Sequence, residues 1–169
     1  FDREDGSLLW TCSVSEPRDA IAFDAGGTDA VAVASRGGVE AVAAADGRTL
    51  WRDGIGVDRV AVGGGRVFAT RTDELRALDA SDGTLLWRRS AFEGRLVGLV
   101  ADAGRLLVST ESEGGPLRLV ELARDTGCAL QTFATEGRWM SPPALGEDLA
   151  VVATGRADRS VYAVETARD

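Results

Sequence analysis

The stretch Ala77-Leu-Asp79-Ala-Ser-Asp82-Gly83-Thr-Leu-Leu-Trp87 is the best copy of a motif that recurs along the chain. Asp79 and Asp82 are suited to accept hydrogen bonds from turn amides, and Gly83 can adopt a positive φ without steric cost. Trp87 then lies on the following strand, with a large flat surface to bury. The stretch therefore predicts a hairpin whose tryptophan packs at an interface between repeated units.

The motif recurs in four weaker copies, with glycine as its most constant member. Two copies end in tryptophan, one is degenerate, and one stops at Asp169. The degenerate copy, from Leu119 to Gln131, shows two extra residues in its turn and has Gln131 where tryptophan is expected. We expect the glycines, the tryptophans and Asp79 to dock one unit on the next. The glycines and tryptophans are Gly6, Gly47, Gly83 and Gly127, with Trp10, Trp51 and Trp87.

The spacing of the marker glycines predicts a β-propeller. Their separations are 41, 36 and 44 residues, close to the period of about 40 to 50 residues that is typical of propeller blades. Short apolar runs separated by Gly and Asp turns predict four strands in each unit, and long helical periodicity is not visible. A four-stranded meander with two apolar faces needs neighbouring sheets to cover them. Radial stacking provides that cover.

We therefore expect an all-β fold, a single partial β-propeller over residues 1–169 built from four-stranded antiparallel blades. The strands amount to about four blades. The motif register of the two chain ends overlaps, which favours an arc of a larger seven- or eight-bladed ring. Pairing of Leu8–Trp10 with Val161–Val164 would instead close a four-bladed ring. The repeat units are approximately 1–13 (outer strand only), 18–53, 58–89, 95–134 and 139–169 (outer strand missing).

The composition excludes several classes of active site. The chain has no His, Lys or Asn, and all nineteen basic residues are Arg. An imidazole base, a Schiff-base lysine and a P-loop lysine are therefore missing from these residues. The formal charge of −8 argues against general binding of nucleic acid. The bias toward Ala, Gly, Val and Arg indicates a high-GC or halophilic source.

Two further sequence features bear on the cellular setting. No run approaches the roughly 18 consecutive apolar residues that would predict a membrane span. Cys12 and Cys128 are the only cysteines. We expect two buried free thiols rather than a disulfide, because free cysteine commonly packs as a small hydrophobe.

The pattern Ala-x-Asp-x-x-(Asp/Thr)-Gly-x-x-x-Trp resembles the tryptophan-docking repeat of pyrroloquinoline-quinone (PQQ)-type β-propellers. Ala77, Asp79, Gly83 and Trp87 match all four marker positions. That family includes quinoprotein dehydrogenases and non-catalytic relatives, among them the propeller lipoprotein of outer-membrane assembly. The resemblance implies a quinone and calcium site only in the catalytic branch. Because its calcium site usually includes Asn, those positions cannot be carried over to this chain, and we expect no cofactor or metal within it.

Local features that suggest sites have simpler structural explanations. The acidic pairs Asp79 with Asp82 and Glu111 with Glu113 supply too few oxygens for a calcium loop, so we interpret them as turn residues. The glycine run at 63–65 lacks the lysine of a phosphate loop and is interpreted as a hairpin turn.

One local feature lies outside the docking register. Arg138, Trp139 and Met140 precede the inner strand of the last unit, where an aromatic beside an arginine suits a partner-binding hot spot. The alternative is that Trp139 fills a gap between blades.

Taken together, the sequence predicts a non-catalytic scaffold that binds a protein partner, in an exported or cell-surface protein. Its blades would also contact the remaining propeller blades of a longer parent chain. Two alternatives stay open. One is an arc of a PQQ-dependent dehydrogenase whose active site lies outside this span, and the other is a sensory propeller fused to a signalling domain.

Overall fold

The computed structural model describes residues 5–136, 139–155 and 159–166, with only the backbone described at 139–140. Within these ranges the chain forms sixteen β-strands and no helix. The strands are β1 (Pro17–Asp24), β2 (Asp29–Ser35), β3 (Gly38–Ala43), β4 (Thr49–Asp53), β5 (Arg59–Gly63), β6 (Arg66–Arg71), β7 (Glu74–Asp79), β8 (Leu85–Arg89), β9 (Arg95–Ala101), β10 (Leu106–Glu111), β11 (Leu117–Leu122), β12 (Ala129–Thr135), β13 (Trp139–Met140), β14 (Ala144–Leu145), β15 (Leu149–Gly155) and β16 (Val161–Glu165).

The strands form four sheets, which we number as blades 1 to 4 in chain order. Blades 1, 2 and 3 are antiparallel meanders in which each strand pairs with its chain neighbour. Strands β1, β5, β9 and β14 are the inner strands, and they contact one another in that order. The predicted all-β propeller architecture with about four blades is confirmed.

Blade 4 departs from the meander at its inner edge. Strands β13 and β14 both pair with the same side of β15, and β16 pairs with the other side. The inner strand is split because Pro142 and Pro143 separate β13 from β14, and proline has no amide hydrogen to donate to the ladder. In the described residues, blade 4 has no outer strand beyond β16.

The core lies between the blades because the central strands are buried on both faces. In β6, Val67 belongs to the cluster shared with blade 1, and its neighbour Phe68 belongs to the cluster shared with blade 3. Between blades 3 and 4, Leu107 packs with Val152 in a third, smaller cluster. Each such side chain contributes roughly 1.5–3 kcal/mol when fully buried. A blade on its own would expose these residues, which explains why the sheets stack.

The strand pairing that would close a four-bladed ring is absent from the described residues. Residues 8–10, expected to form an outer strand, belong to no sheet, and the one strand pairing of β16 is with β15. Leu8, Leu9 and Val161 are 60%, 58% and 70% exposed. No described strand therefore covers the outer edge of blade 4.

The expectation of buried cysteines is wrong. Cys12 and Cys128 are both free, as expected, but both are exposed. Cys12 lies in the segment before β1, outside any sheet, and Cys128 directly follows the turn glycine Gly127. Neither position places its side chain between blades, so the usual burial of free cysteine does not apply.

Candidate functional site: blade-docking contacts and the loop end

Trp51 shows how one blade docks on the next. Its indole lies across Gly83 in the turn between β7 and β8, and its Nε1–H donates a hydrogen bond to the carbonyl of Ala80 at 3.0 Å. Gly83 has a φ of 75°, and a Cβ built on it would lie 2.6 Å from Trp51 Cε3. Glycine is required here for two independent reasons, the left-handed backbone and the close approach of the ring.

The other two tryptophans of the motif make the same contact. Trp87 Nε1 donates to the carbonyl of Arg124 at 2.7 Å, and its ring lies over Gly127. Trp10 Nε1 donates to the carbonyl of Ala44 at 2.8 Å, and its ring lies over Gly47 of blade 1. Each indole thus packs on the turn between the third and outer strands of the following blade. Gly6 also has a positive φ of 72°, but a Cβ built on it would meet no atom of the described residues within 4 Å.

The acids of the motif shape the turn. Asp79 Oδ1 accepts hydrogen bonds from the amide and the hydroxyl of Ser81, and these bonds lower the pKa of Asp79. Asp82 Oδ1 accepts the amide of Thr84 at 2.8 Å. Each carboxylate bonds amides within its own turn, the geometry of an Asx turn.

The degenerate copy has the same length as the others, so the expectation of two extra residues in its turn is wrong. Gln131 pairs with Glu121 across the β11–β12 ladder, in the register in which Trp87 pairs with Ala77. The turn also closes alike, with the amide of Gly127 bonded to the carbonyl of Ala123 at 2.7 Å. The copy therefore begins at Glu121 and not at Leu119.

Blade 3 has the polar pair Glu121 and Gln131 where blade 2 has the apolar pair Ala77 and Trp87. Gln131 Nε2 donates to Glu121 Oε2 at 2.6 Å and, across the blade interface, to the carbonyl of Glu165 at 2.9 Å. Glu121 is 3% exposed. Sequence reasoning did not single out Glu121, although an acid within the apolar run from Leu117 to Leu122 was a signal that could have indicated it.

The loop end of the propeller, where the inner strands begin, carries a large open depression. This depression of about 1050 Å³ lies against the β10–β11 loop of blade 3, with Glu113 and Glu136 on its walls. Arg95 forms an ion pair with Glu111 there at 3.6 Å. A second depression of about 500 Å³ lies at the same end of blades 1 and 2 and is lined by Arg18, Arg36 and Arg71. The loop end thus presents acidic and basic regions side by side.

The predicted hot spot falls partly outside the described residues. Arg138 lies outside them, and Trp139 and Met140 form β13, whose backbone pairs with Gly155 and Thr154. Strand β13 begins three residues after Glu136, which lines the larger depression. The backbone therefore brings positions 139–140 to the loop end.

The described part of the chain contains no group of three or more His, Cys, Asp or Glu side chains placed to hold a metal ion. It also contains no helix long and apolar enough to cross a membrane. The acidic pairs considered as calcium ligands have other partners, Ser81 and Thr84 for the first pair and Arg95 for Glu111.

Comparison with known proteins gives a family and a set of structural neighbours. A family model described as outer membrane protein assembly factor BamB matches residues 35–130, more than half of the chain. A search among curated protein sequences found no match. The crystal structure of BamB from Moraxella catarrhalis is 18% identical, with a TM-score of 0.66, over 88% of this chain and 47% of that protein. This chain thus spans about half of the Moraxella protein.

Two other neighbours differ in kind. The computationally designed Ika4 protein has a TM-score of 0.76 at 11% identity, over 96% of this chain and 99% of its own. The quinohemoprotein alcohol dehydrogenase ADHIIG from Pseudomonas putida HK5 is 18% identical, with a TM-score of 0.67, over 88% of this chain and 30% of that enzyme. At such low identities the neighbours support the fold alone.

Proposed function

Because the chain belongs to the family of the outer membrane protein assembly factor BamB, we propose that it acts as a non-catalytic scaffold that binds protein partners at its loop end. The resemblance inferred from the docking motif is confirmed by this family match. The observation that carries the proposal is the depression of about 1050 Å³ against the β10–β11 loop at the loop end. Loops presented by a rigid scaffold are the usual place for recognition.

The charges of the loop end suit a polar protein surface as partner. Glu113 and Glu136 are exposed, while Arg95 and Arg118 are paired with Glu111 and Glu93. Mixed charges at the rim of an interface favour specificity and fast association. The sequence has a tryptophan and a methionine at positions 139–140, residue types that are enriched at protein–protein interfaces. The family name further favours an exported protein that works at the cell envelope.

The second candidate is an arc of a PQQ-dependent dehydrogenase. It is favoured by the structural likeness to ADHIIG. In that case the quinone and calcium ligands would lie in other blades of a longer chain, and these residues would have only a structural role. A saturable quinone site in the purified full-length protein distinguishes this candidate from the scaffold.

Site-specific photo-crosslinking tests the scaffold directly. A photoreactive amino acid replaces Glu113 at the loop end, and a matched variant carries it at Arg48, an exposed residue at the opposite end. We expect a discrete protein adduct in cells from the Glu113 variant and none from the Arg48 variant. Equal adducts from both positions, or saturable binding of pyrroloquinoline quinone with calcium, would overturn the proposal.

A further inference from the structure

The second depression at the loop end lies where segments of blades 1 and 2 meet, and it is lined by Arg18, Arg36 and Arg71. Arg18 lies near the start of β1, Arg36 in the turn between β2 and β3, and Arg71 at the end of β6. The volume of about 500 Å³ is typical of ligand sites. Its charged lining residues are these three arginines and one acid, Asp58, so we call it the basic depression.

Glycine and backbone hydrogen bonds give the basic depression a fixed shape. One wall is the segment between β4 and β5, where a Cβ built on Gly56 would lie 2.3 Å from the carbonyl oxygen of Arg36. Glycine therefore lets this segment lie directly against the β2–β3 turn. The amides of Val57 and Asp58 bond carbonyls of β2 and β6 at 2.9 and 2.7 Å. Because the wall is attached to both blades, a ligand would bind without ordering it first.

The acids around Arg18 and Arg36 neutralise these two arginines to different extents. Both oxygens of the Asp58 carboxylate are bonded, Oδ1 to the guanidinium of Arg18 and Oδ2 to the amide of Thr72 at 3.2 Å. Arg36 Nη1 lies 3.4 Å from Oε1 of Glu16, and the two side chains are 71% and 60% exposed. Such an exposed ion pair contributes little to stability, so another carboxylate can replace Glu16 at little cost.

Arg71 forms no ion pair within the described part of the chain. Glu74, which is opposite Arg71 in the β6–β7 ladder, is paired instead with Arg76 at 3.6 Å. Asp73 is exposed, and its carboxylate is not bonded to Arg71 in the described structure. Arg36 and Arg71 are therefore available to an added anion, in a protein whose formal charge is −8.

We propose that the basic depression binds an acidic segment of a protein partner, whose carboxylate side chains pair with Arg36 and Arg71. A planar guanidinium forms two parallel hydrogen bonds with a carboxylate, so arginine is well suited to this contact. Val57 is the one apolar side chain among the lining residues, and it is 1% exposed. A ligand therefore meets polar groups, and its charge decides whether it binds.

The other depression at the loop end favours a short acidic segment over a long polyanion. Glu113 and Glu136 line that depression, and like charges side by side disfavour a ligand that is negative along its whole length. A protein segment can place its acids at the basic depression and other residues beside Glu113. The inference rests on the proposed scaffold function and adds the chemistry of the partner.

Fluorescence anisotropy of a labelled hexaglutamate peptide with the full chain tests the proposal. We expect saturable binding that weakens as the salt concentration rises, and no binding of a hexaglutamine peptide. Arg71→Gln should weaken hexaglutamate binding about fivefold or more, because a charge-assisted pair is lost. Arg48→Gln is the matched control, since Arg48 is an exposed arginine at the opposite end of the blades, and it should leave the affinity unchanged.

Three results would overturn the proposal: no saturable binding of hexaglutamate, an equal loss of affinity in Arg48→Gln and Arg71→Gln, or binding of inorganic phosphate as tight as that of the peptide. Photo-crosslinking from position 113 tests the scaffold separately. An adduct from that position without hexaglutamate binding would contradict the acidic partner segment alone. Hexaglutamate binding that depends on Arg71, without any adduct, would contradict the scaffold and leave an anion-binding site.

Discussion

The docking turn requires glycine at position 83 for two reasons, the positive φ and the close approach of the Trp51 ring, and replacing Gly83 by alanine tests both. A Cβ at this position meets Trp51 Cε3 at 2.6 Å and Cδ2 at 2.7 Å, and the backbone φ is 75°. Gly65, in the same blade, has nearly the same φ of 72° but nothing within 4 Å. Gly65→Ala is therefore a matched control that carries the backbone penalty alone.

The expected magnitudes follow from these contacts. The left-handed backbone costs about 1–2 kcal/mol for a residue with a Cβ, so both variants lose that much stability. Gly83→Ala also displaces the indole of Trp51 from its packed position, and overpacking of this kind typically lowers the free energy of unfolding by about a further 1–3 kcal/mol. Trp51 is 7% exposed and bonded to Ala80, so it has little room to move aside. We expect a total loss of about 2–5 kcal/mol for Gly83→Ala.

Equilibrium urea denaturation of each variant measures these losses through the transition midpoint at constant slope. A double-mutant cycle then assigns the excess loss to its cause. In a Trp51→Leu background, where the ring is absent, Gly83→Ala should cost no more than Gly65→Ala does. Equal losses for the two alanine variants in the original background, or an additive cycle, would refute the docking role of Gly83.

Three further predictions follow from individual contacts. Arg76 is 3% exposed and donates hydrogen bonds to the carboxylate of Asp53 in blade 1 and to the carbonyl of Ile55 in the segment between β4 and β5. Arg76→Ala should therefore lower the free energy of unfolding by about 3–5 kcal/mol. Arg48→Ala, at an exposed ion pair, should lower it by less than about 1 kcal/mol in the same denaturation assay. The hydrogen bonds from Ser81 lower the pKa of Asp79. The stabilisation that the Asp79 carboxylate provides is therefore complete above the unfolded pKa of about 3.9 and is lost as the pH falls through the folded pKa. An NMR titration should show that Ser81→Ala raises the pKa of Asp79. Gln131 donates a hydrogen bond to the buried carboxylate of Glu121, so Gln131→Leu should lower the free energy of unfolding by about 1–3 kcal/mol in the same denaturation assay; an unchanged transition midpoint would contradict this interpretation of the position.

The sequence predicted the architecture well because the docking motif combines residue types that few other structures require together. A glycine with positive φ, followed four residues later by a tryptophan, marks the outer hairpins of blades 1 and 2, while blade 3 keeps the glycine and has Gln131 in place of the tryptophan. The spacing of the glycines then predicts the length of a blade repeat. The split inner strand of blade 4 was not predicted. Residues 138–140 were expected to precede the inner strand, whereas the backbone of Trp139 and Met140 forms its first part, and the missing amides of Pro142 and Pro143 interrupt the ladder after them.

The interface between blades 3 and 4 was harder to predict, for a physical reason. The sequence shows that Gln131 replaces tryptophan, but the residue opposite it depends on the register, and a register error of two residues hid the change from alanine to Glu121. Register is fixed by pairing in three dimensions, which a single degenerate repeat does not reveal. The scaffold role and the contribution of positions 138–140 remain predictions.

One end of the blades holds the docking contacts and the other is the proposed partner-binding end, and this difference can be tested. Gly47, Gly83 and Gly127 lie in turns at the end opposite the loop end, where the indoles pack. Substitutions there act on how tightly one blade holds the next, so they change stability throughout the protein. Substitution of Glu113 at the loop end removes no docking contact and should leave stability within about 0.5 kcal/mol. A partner bound at the loop end would therefore be lost from a Glu113 variant that is as stable as the original, whereas docking variants lose the partner only in proportion to the fraction unfolded.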